Sequence, residues 1–465
     1  MAGASGLFPR SSRRSWHALS RLERQAAAFS AEASQALGGA SWQRDRRRAA
    51  FDRYAASSWP GPDEEAWRYS RIDQLDLSRF EPSGSPAPKG ALPLLPALAH
   101  AFVDRVGERA GLALTIDGRP YEIDLAEEAS RSGVQLARAS SHPEAAELSG
   151  RARASFTAPD SIDATDELAE AFSSDGTVLS VPAGVALSAP IVIVNLLGAD
   201  HQDTSSGPAF FPRTLVSLGE GSSVTVVELY FSGDGAILVL PVTELEVGPA
   251  ARLSYSAVQQ LGRATWQIGR NWSRAGRDAH LKSFTASLGG HYARTRTDSR
   301  LEGRGGSAEL LAAYLGDGDQ MHDFRTLQEH DAPSTTSDLV FKGAVGGRAR
   351  AVYTGLIRMR RGARGANAFQ TNRNLVLSQG ASAYSVPNLD IDENDVRCSH
   401  ASAVGPIDSE QRFYLQSRGI PAEVAERLIL LGYFEELLGR AEPAVRDHIA
   451  AAARSRLHAL AEVVA

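Results

Sequence analysis

The sequence predicts a mainly β chain, a β-helix flanked by helical regions at both ends, and three observations carry that prediction. From about Leu168 to Val396, short runs of Val, Leu, Ile, Thr and Tyr are punctuated by Gly, which is the pattern of strands and turns. Within that region one phrase recurs, a turn of Gly and small residues leading into an alternating strand. It reads Gly219-Glu220-Gly221-Ser222-Ser223-Val224-Thr225-Val226, then Gly248-Pro249-Ala250-Ala251-Arg252-Leu253, with kindred phrases at Gly276, Gly305, Gly346 and Gly380. The interval is about 30 residues in the first steps and looser afterwards, within the range in which repeats signal a solenoid. Thirdly, both flanks read as helix. A repeat of two or three short strands cannot bury its apolar face alone, and stacking such repeats closes the core. A β-sandwich is the alternative architecture, although it has no need of a Gly-rich phrase at nearly fixed spacing.

Taken in order, residues 1–165 form a helical and mixed region. Ser15 to Leu37 and Ala40 to Ala55 are rich in Ala, Leu, Glu and Arg, with Leu19, Leu22 and Ala26 at helical spacing. A Pro/Gly/Ser-rich stretch at residues 82–90 reads as a linker. Residues 166–400 are the β-helix core, and residues 401–465 a C-terminal helical region. There Pro421 suits a first helical turn, Val424, Leu428 and Leu431 form an apolar stripe, and Gly432 can end or bend the helix. Phe434, Leu437 and Leu438 follow, then an amphipathic stretch through Val445, Ile449, Leu457 and Leu460.

Composition narrows the function. The 465 residues are 43% apolar, enough for a large core. The net charge of −6 comes from 49 basic and 55 acidic residues mixed along the chain, which leaves no basic stripe for phosphates, so nucleic acid is not an expected partner. The richest apolar run, Ala236 to Val242, suits a buried strand rather than a membrane span, and no membrane partner is expected. A single cysteine excludes an internal disulfide and points to a reducing compartment, the cytoplasm. The segment Met1 to Leu22 carries Arg10, Arg13, Arg14 and Arg21 with no acid before Glu23, the composition of a transit peptide that would direct the chain to an organelle stroma.

Several side chains bear chemistry. Cys398 and His400 lie two apart where the strand pattern ends, so on a strand they share one face about 7 Å apart. Thiolate and imidazole both bind iron, zinc or copper, and a protonated His beside the thiol would lower its pKa. Two ligands fall short of four, so a partner would have to complete such a site. His322 and His330 flank Asp323 and Asp331 and read as loop residues around a turn, with a metal site as the sharper alternative. Asp390, Asp392, Glu393 and Asp395 read as a solvated turn, or as the paired acids of a polysaccharide-active β-helix enzyme. Phe413-Tyr414-Leu415-Gln416-Ser417-Arg418-Gly419 reads as a packing corner. No nucleophile elbow, phosphate-cradling loop or His-Glu-x-x-His motif is present, so ATP binding is not expected.

Separated phrases agree in order with one known family. They are Glu65-Ala66-Trp67-Arg68-Tyr69-Ser70, His330, Ser337, Phe341-Lys342-Gly343, and Phe369-Gln370-x-x-x-Asn374-Leu375-x-Leu377-Ser378 followed by Ala381. Then come Pro387-Asn388-Leu389-Asp390-Ile391, Asp395-Val396-Arg397-Cys398-Ser399-His400, Val404-Gly405-Pro406-Ile407-Asp408 and Phe413 to Ile420. Together they resemble the SufB/SufD family of iron–sulfur cluster assembly, and Cys-Ser-His favours the SufD side. The match is dense over roughly the last 140 residues and thin before Trp67.

The resemblance implies a right-handed parallel β-helix and a non-enzymatic scaffold that pairs with a SufB-like paralogue and a SufC-like ABC ATPase. An isolated chain could pair with itself. His400 and Cys398 become the cluster-assembly interface and metal ligands shared with the partner, with Phe413, Tyr414, Arg418 and Gly419 in partner binding. No cofactor is held by the chain alone; a transient iron–sulfur cluster belongs to the complex. After His400 the family pattern is Gly-Ala-Thr, whereas here Ala401-Ser402-Ala403 follow, which removes a freely positive φ beside the histidine.

Overall fold

The computed structural model describes residues 28–83, 97–158, 161–198 and 206–452. The strands begin with β1 (Phe80–Pro82), β2 (Gly111–Ile116), β3 (Arg119–Leu125), β4 (Gln135–Arg138), β5 (Thr177–Val181), β6 (Ile191–Leu197) and β7 (Gly207–Phe210). They continue as β8 (Arg213–Leu218), β9 (Ser223–Ser232), β10 (Leu238–Val239), β11 (Val242–Val247), β12 (Arg252–Gln260), β13 (Trp266–Ala275) and β14 (His280–Ser287). The last are β15 (Tyr292–Leu301), β16 (Ser307–Gly316), β17 (Met321–His330), β18 (Thr336–Val345), β19 (Arg350–Met359), β20 (Asn367–Val376), β21 (Ser382–Ile391) and β22 (Arg397–Gly405).

Among the described residues these strands make two sheets, one running β21-β19-β17-β15-β13-β11-β8-β5-β4 and the other β22-β20-β18-β16-β14-β12-β9-β6-β2-β3. From β5 onward the chain alternates between them with parallel pairing, which is the expected β-helix. Ser223 pairs with Arg252, Arg252 with His280 and His280 with Ser307, so successive turns advance 29, 28 and 27 residues. The β-sandwich alternative is thereby excluded.

The Gly-rich phrase is the corner from the first sheet to the second. Backbone bonds Ser222 N to Gly219 O, Ala251 N to Gly248 O, and Ala279 N to Gly276 O close four-residue turns. The third residue of each has positive φ, at Gly221, Ala250 and Asp278, and Pro249 sits second, which defines a type II turn. The first position needs glycine for another reason: at Gly248 a Cβ would collide with the carbonyl oxygen of Leu218 in the turn below. The spacing loosens because the phrases at Gly346 and Gly380 lie on the opposite corner, between β18 and β19 and between β20 and β21.

Each sheet is covered outside. Over the first lie the N-terminal helices α1 (Ala31–Ala36) and α2 (Ser41–Ala56), with α3 (Ala97–Val106) on the second sheet and α4 (Ala164–Phe172) back on the first. Trp67, Leu168 and Phe172 pack with Ile268, Trp272 and Tyr292 on the first sheet. Asp163 starts α4 as an N-cap, accepting from Thr165 N at 2.8 Å. After the solenoid come α5 (Ser409–Ser417) and α6 (Ala422–Leu438), then helical residues 443–452.

Several expectations shift. Strand β22 runs to Gly405, past the boundary at 400, and β2 and β3 already belong to a sheet before residue 166. Leu168 lies within α4 rather than at the start of strand structure. Pro82 is in β1, paired with Ala209, while residues 84–90 of the expected linker, the Arg-rich segment Met1 to Leu22, Leu457 and Leu460 lie outside the described residues. The helix does not stop at Gly432, because α6 carries on to Leu438. Its buried face is Ala425, Leu430, Phe434, Leu437 and Leu438, laid on the second sheet, so Val424 and Leu428 of the expected stripe face outward.

Candidate functional site

Cys398 and His400 stand on β22, the outermost strand of the second sheet. In-register pairing arranges side chains in columns that run through the solenoid. Cys398 ends the column Val224, Leu253, Leu281, Ala308, Ser337 and Ala368, every lower member of which is buried. His400 ends the column Val226, Tyr255, Ser283, Leu310, Leu339 and Gln370. Both therefore occupy interior positions at a rung on which, among the described residues, no further strand is stacked. Strand alternation places them on one face, as their spacing implied.

Their environments differ. Cys398 is half-buried against Ile357, Met359, Ala363, Ala366 and Ala368. Burial pushes its thiol up to about 11, the opposite of the lowering expected from a neighbouring imidazolium, so at neutral pH it is a protonated thiol. His400 is exposed. Of the two it is the side chain open to solvent, whereas Cys398 faces an apolar wall.

The rest of the open rung was not foreseen as a site. Leu389 and Ile391 of β21 and Val404 of β22 are 39%, 45% and 46% exposed. Ile391 ends the column of Leu301, His330 and Met359, all buried. In sequence these three are ordinary strand residues; the available signal was that no Gly-rich corner follows β22. Among the described residues the outer backbone edges of β21 and β22 pair with no strand, beside an apolar mouth that contains His400 and Cys398.

The carboxylate group is spread out. Asp390 projects from β21 to Arg358, whose Nε donates to it at 2.8 Å, and Glu393 accepts from Gly362 N at 3.1 Å in the corner. The histidines expected in a loop are instead buried in β17. His322 bonds Ser287 Oγ at 2.9 Å and the Leu315 carbonyl at 3.0 Å, and His330 bonds Thr335 Oγ1 and Ser337 Oγ at 2.8 Å each. Asp323 is held between Arg294 and Arg325 at 2.8 Å each. Among the described residues no group of three or more His, Cys, Asp or Glu comes together that could hold a metal ion.

Nor is the aromatic segment a packed corner. Helix α5, capped by Asp408, buries none of its residues, and Phe413 and Tyr414 are 71% and 58% exposed. Arg418 lies over the Tyr414 ring, and Gly419 takes a positive φ to leave the helix. Val424 and Leu428 of α6 are exposed as well. No helix among the described residues is long and apolar enough to cross a membrane.

Comparison with known proteins identifies the family. Residues 201–433 match the family model of the SUF system FeS cluster assembly SufBD core domain, from the first turns of the solenoid into α6. An iron–sulfur cluster assembly SufBD family protein of Mycobacterium tuberculosis is 36% identical over 275 residues, covering 57% of this chain and 68% of that protein. The iron–sulfur cluster assembly protein SufD of Bacillus subtilis is 27% identical over 405 residues, covering 84% and 88%. A chloroplastic protein of Arabidopsis thaliana, ABCI7, is 26% identical over 388 residues, covering 82% and 79%. Since the matched span is the solenoid with its open last rung, and the SufD match extends over most of both chains, this chain belongs to the SufBD family of iron–sulfur cluster assembly proteins and is SufD-like.

Proposed function

We propose that the chain is the SufD-like scaffold subunit of a SUF complex, pairing through its open rung with a SufB-like paralogue so that nascent clusters form where His400 and Cys398 meet the partner. The observation that carries this is the last rung itself: two unpaired strand edges and an apolar mouth, with an exposed imidazole among them. A partner strand there would bury Leu389, Ile391 and Val404, and would enclose His400 in a drier site. The cluster is cargo. One cysteine cannot supply the four ligands a cluster usually takes, so the paralogue provides most of them.

The same reading gives the exposed face of α5, with Phe413, Tyr414, Arg418 and Gly419, to a SufC-like ABC ATPase, which supplies the energy that a chain without a phosphate-binding loop lacks. The chain is then non-enzymatic and works in the cytoplasm, or in an organelle stroma as the chloroplastic relative suggests. A hydrolase using residues 390–395 is less well supported, because paired acids must face one groove, whereas Asp390 is turned to Arg358 and Glu393 to a corner backbone.

Co-expression with SufB-like and SufC-like proteins, purified anaerobically, tests the assignment. A stable three-component assembly carrying iron is expected, and a chain that stays alone overturns it. His400→Ala should leave that assembly intact and lower its cluster yield; an unchanged yield removes His400 from the reaction.

A further inference from the structure

The interior changes character towards the open end, where polar side chains replace aliphatic ones, and most of these are satisfied. Asn372 Nδ2 donates to the Tyr314 hydroxyl at 3.0 Å, that hydroxyl donates to Asn374 Oδ1 at 2.6 Å, and Asn374 Nδ2 donates to Asn372 Oδ1 at 2.8 Å. Gln370 is different. It is 1% exposed, and among the described residues neither Oε1 nor Nε2 has a hydrogen-bond partner. Leaving both a donor and an acceptor unmade inside a protein is costly and calls for a partner the chain alone does not provide.

The opposite wall is cut back to lodge this amide. Gly355 has no positive φ and so needs no glycine for its backbone, yet a Cβ there would stand 2.5 Å from Gln370 Nε2 and would collide with the Tyr353 hydroxyl. Ser385 Oγ and Gln328 Oε1, on neighbouring rungs, are also buried without hydrogen-bond partners among the described residues. Gln370 lies directly beneath His400 in register, where parallel strands are about 4.8 Å apart. It also belongs to the Phe369-Gln370-x-x-x-Asn374 phrase, which the scaffold reading leaves without a task.

We infer that Gln370 is the positioning residue of His400: its carboxamide, directly or through one bound water, holds one ring nitrogen so that the other faces the open rung. An imidazole that binds a metal species needs its second nitrogen hydrogen-bonded to fix ring orientation and tautomer, and a neutral amide does this without adding charge. Gly355 keeps that amide in place. The inference rests on the reading of His400 as a group that acts at the cluster-forming interface.

The test uses the full chain with its 11 histidines labelled with nitrogen-15, the His400 ring signals being those that vanish in His400→Ala. Gln370→Leu removes the amide, and Gly355→Ala displaces it from the other side. In both, the His400 ring signals should move toward the tautomer mixture of a solvated imidazole, and cluster yield in the assembled complex should drop about tenfold. Unchanged ring signals in folded variants overturn the inference. If His400→Ala leaves cluster yield intact, the functional reading falls while the ring signals still decide the Gln370 contact. Should neither variant fold, a crystal structure of the unaltered chain decides: density joining the Gln370 amide to the His400 ring supports it, and a ring beyond reach with no water between overturns it.

Discussion

Acidification should destabilise this fold through His330, by an amount that its surroundings set. His330 is fully buried, and its neighbours assign the tautomer. Thr335 Oγ1 donates to the Ala332 carbonyl and so accepts from Nδ1–H; Gln328 Nε2 donates to Ser337 Oγ, which leaves the Ser337 hydroxyl to donate to Nε2. A proton on Nε2 would break the last of these bonds and charge a site without a carboxylate partner. Burial accordingly lowers the imidazole from the usual 6.5 to about 4. The gap of about 2.5 units, at about 1.4 kcal/mol each, is worth about 3–4 kcal/mol, of which about 3 is lost by pH 4. Because the folded value lies below the unfolded one, the unfolded chain binds the proton first. This stability is whole above about pH 6.5, falls as pH drops, and is nearly gone at about pH 4. Urea unfolding at several pH values between 7 and 4 should show it by comparison with His330→Gln. That variant starts about 1–3 kcal/mol weaker at pH 7 and loses about 3 kcal/mol less on acidification. Other titrating groups, including His448, which burial also lowers to about 4, are common to both proteins and cancel. Parallel pH curves for the two would refute the reasoning.

Other outcomes can be checked separately. Raised from 9.0 to about 11, the Cys398 thiol should react with a disulfide reagent near pH 8 on the order of 100-fold more slowly than free cysteine; equal rates would show an open, unperturbed thiol. Ala250 holds a positive φ of 54° at the third position of a type II corner, so Ala250→Gly should raise the thermal midpoint, by up to about 1 kcal/mol in stability, and a lower midpoint would contradict that account. Replacing Phe413 and Tyr414 together with Ala should change stability by no more than about 0.5 kcal/mol, since both are exposed, yet abolish co-purification of the proposed SufC-like ATPase. Retention of the ATPase by that variant would remove α5 from the docking surface.

The β-helix was legible because its corners obey local chemistry: a glycine where one turn presses on another, and a positive φ two residues on. That chemistry is written in the residues themselves. What the spacing could not say was which corner a glycine occupies, so Gly346 and Gly380 seemed to stretch the repeat when they had changed sides. His322 and His330 were misread for a related reason. Polar residues inside a strand look like loop residues until the opposite sheet supplies hydroxyls such as Ser287 and Ser337. In α6 the apolar residues spread around the helix, and only the second sheet decides that Leu430 and Phe434 go inward while Leu428 does not. The Cys398 and His400 pair was visible from its two-residue spacing. The inversion of the expected thiol shift was not, because it depends on Met359 and Ala363 from the strand and corner opposite.

The two ends of the solenoid are unlike. At its start each sheet is finished by a strand that turns back antiparallel, β3 beside β2 and β4 beside β5, whereas the last rung ends on the parallel strands β21 and β22. A rod adhesive at both ends would add copies without limit, as fibres do. If the proposed pairing uses the last rung alone, association through it stops at a pair, whichever chain the second member is.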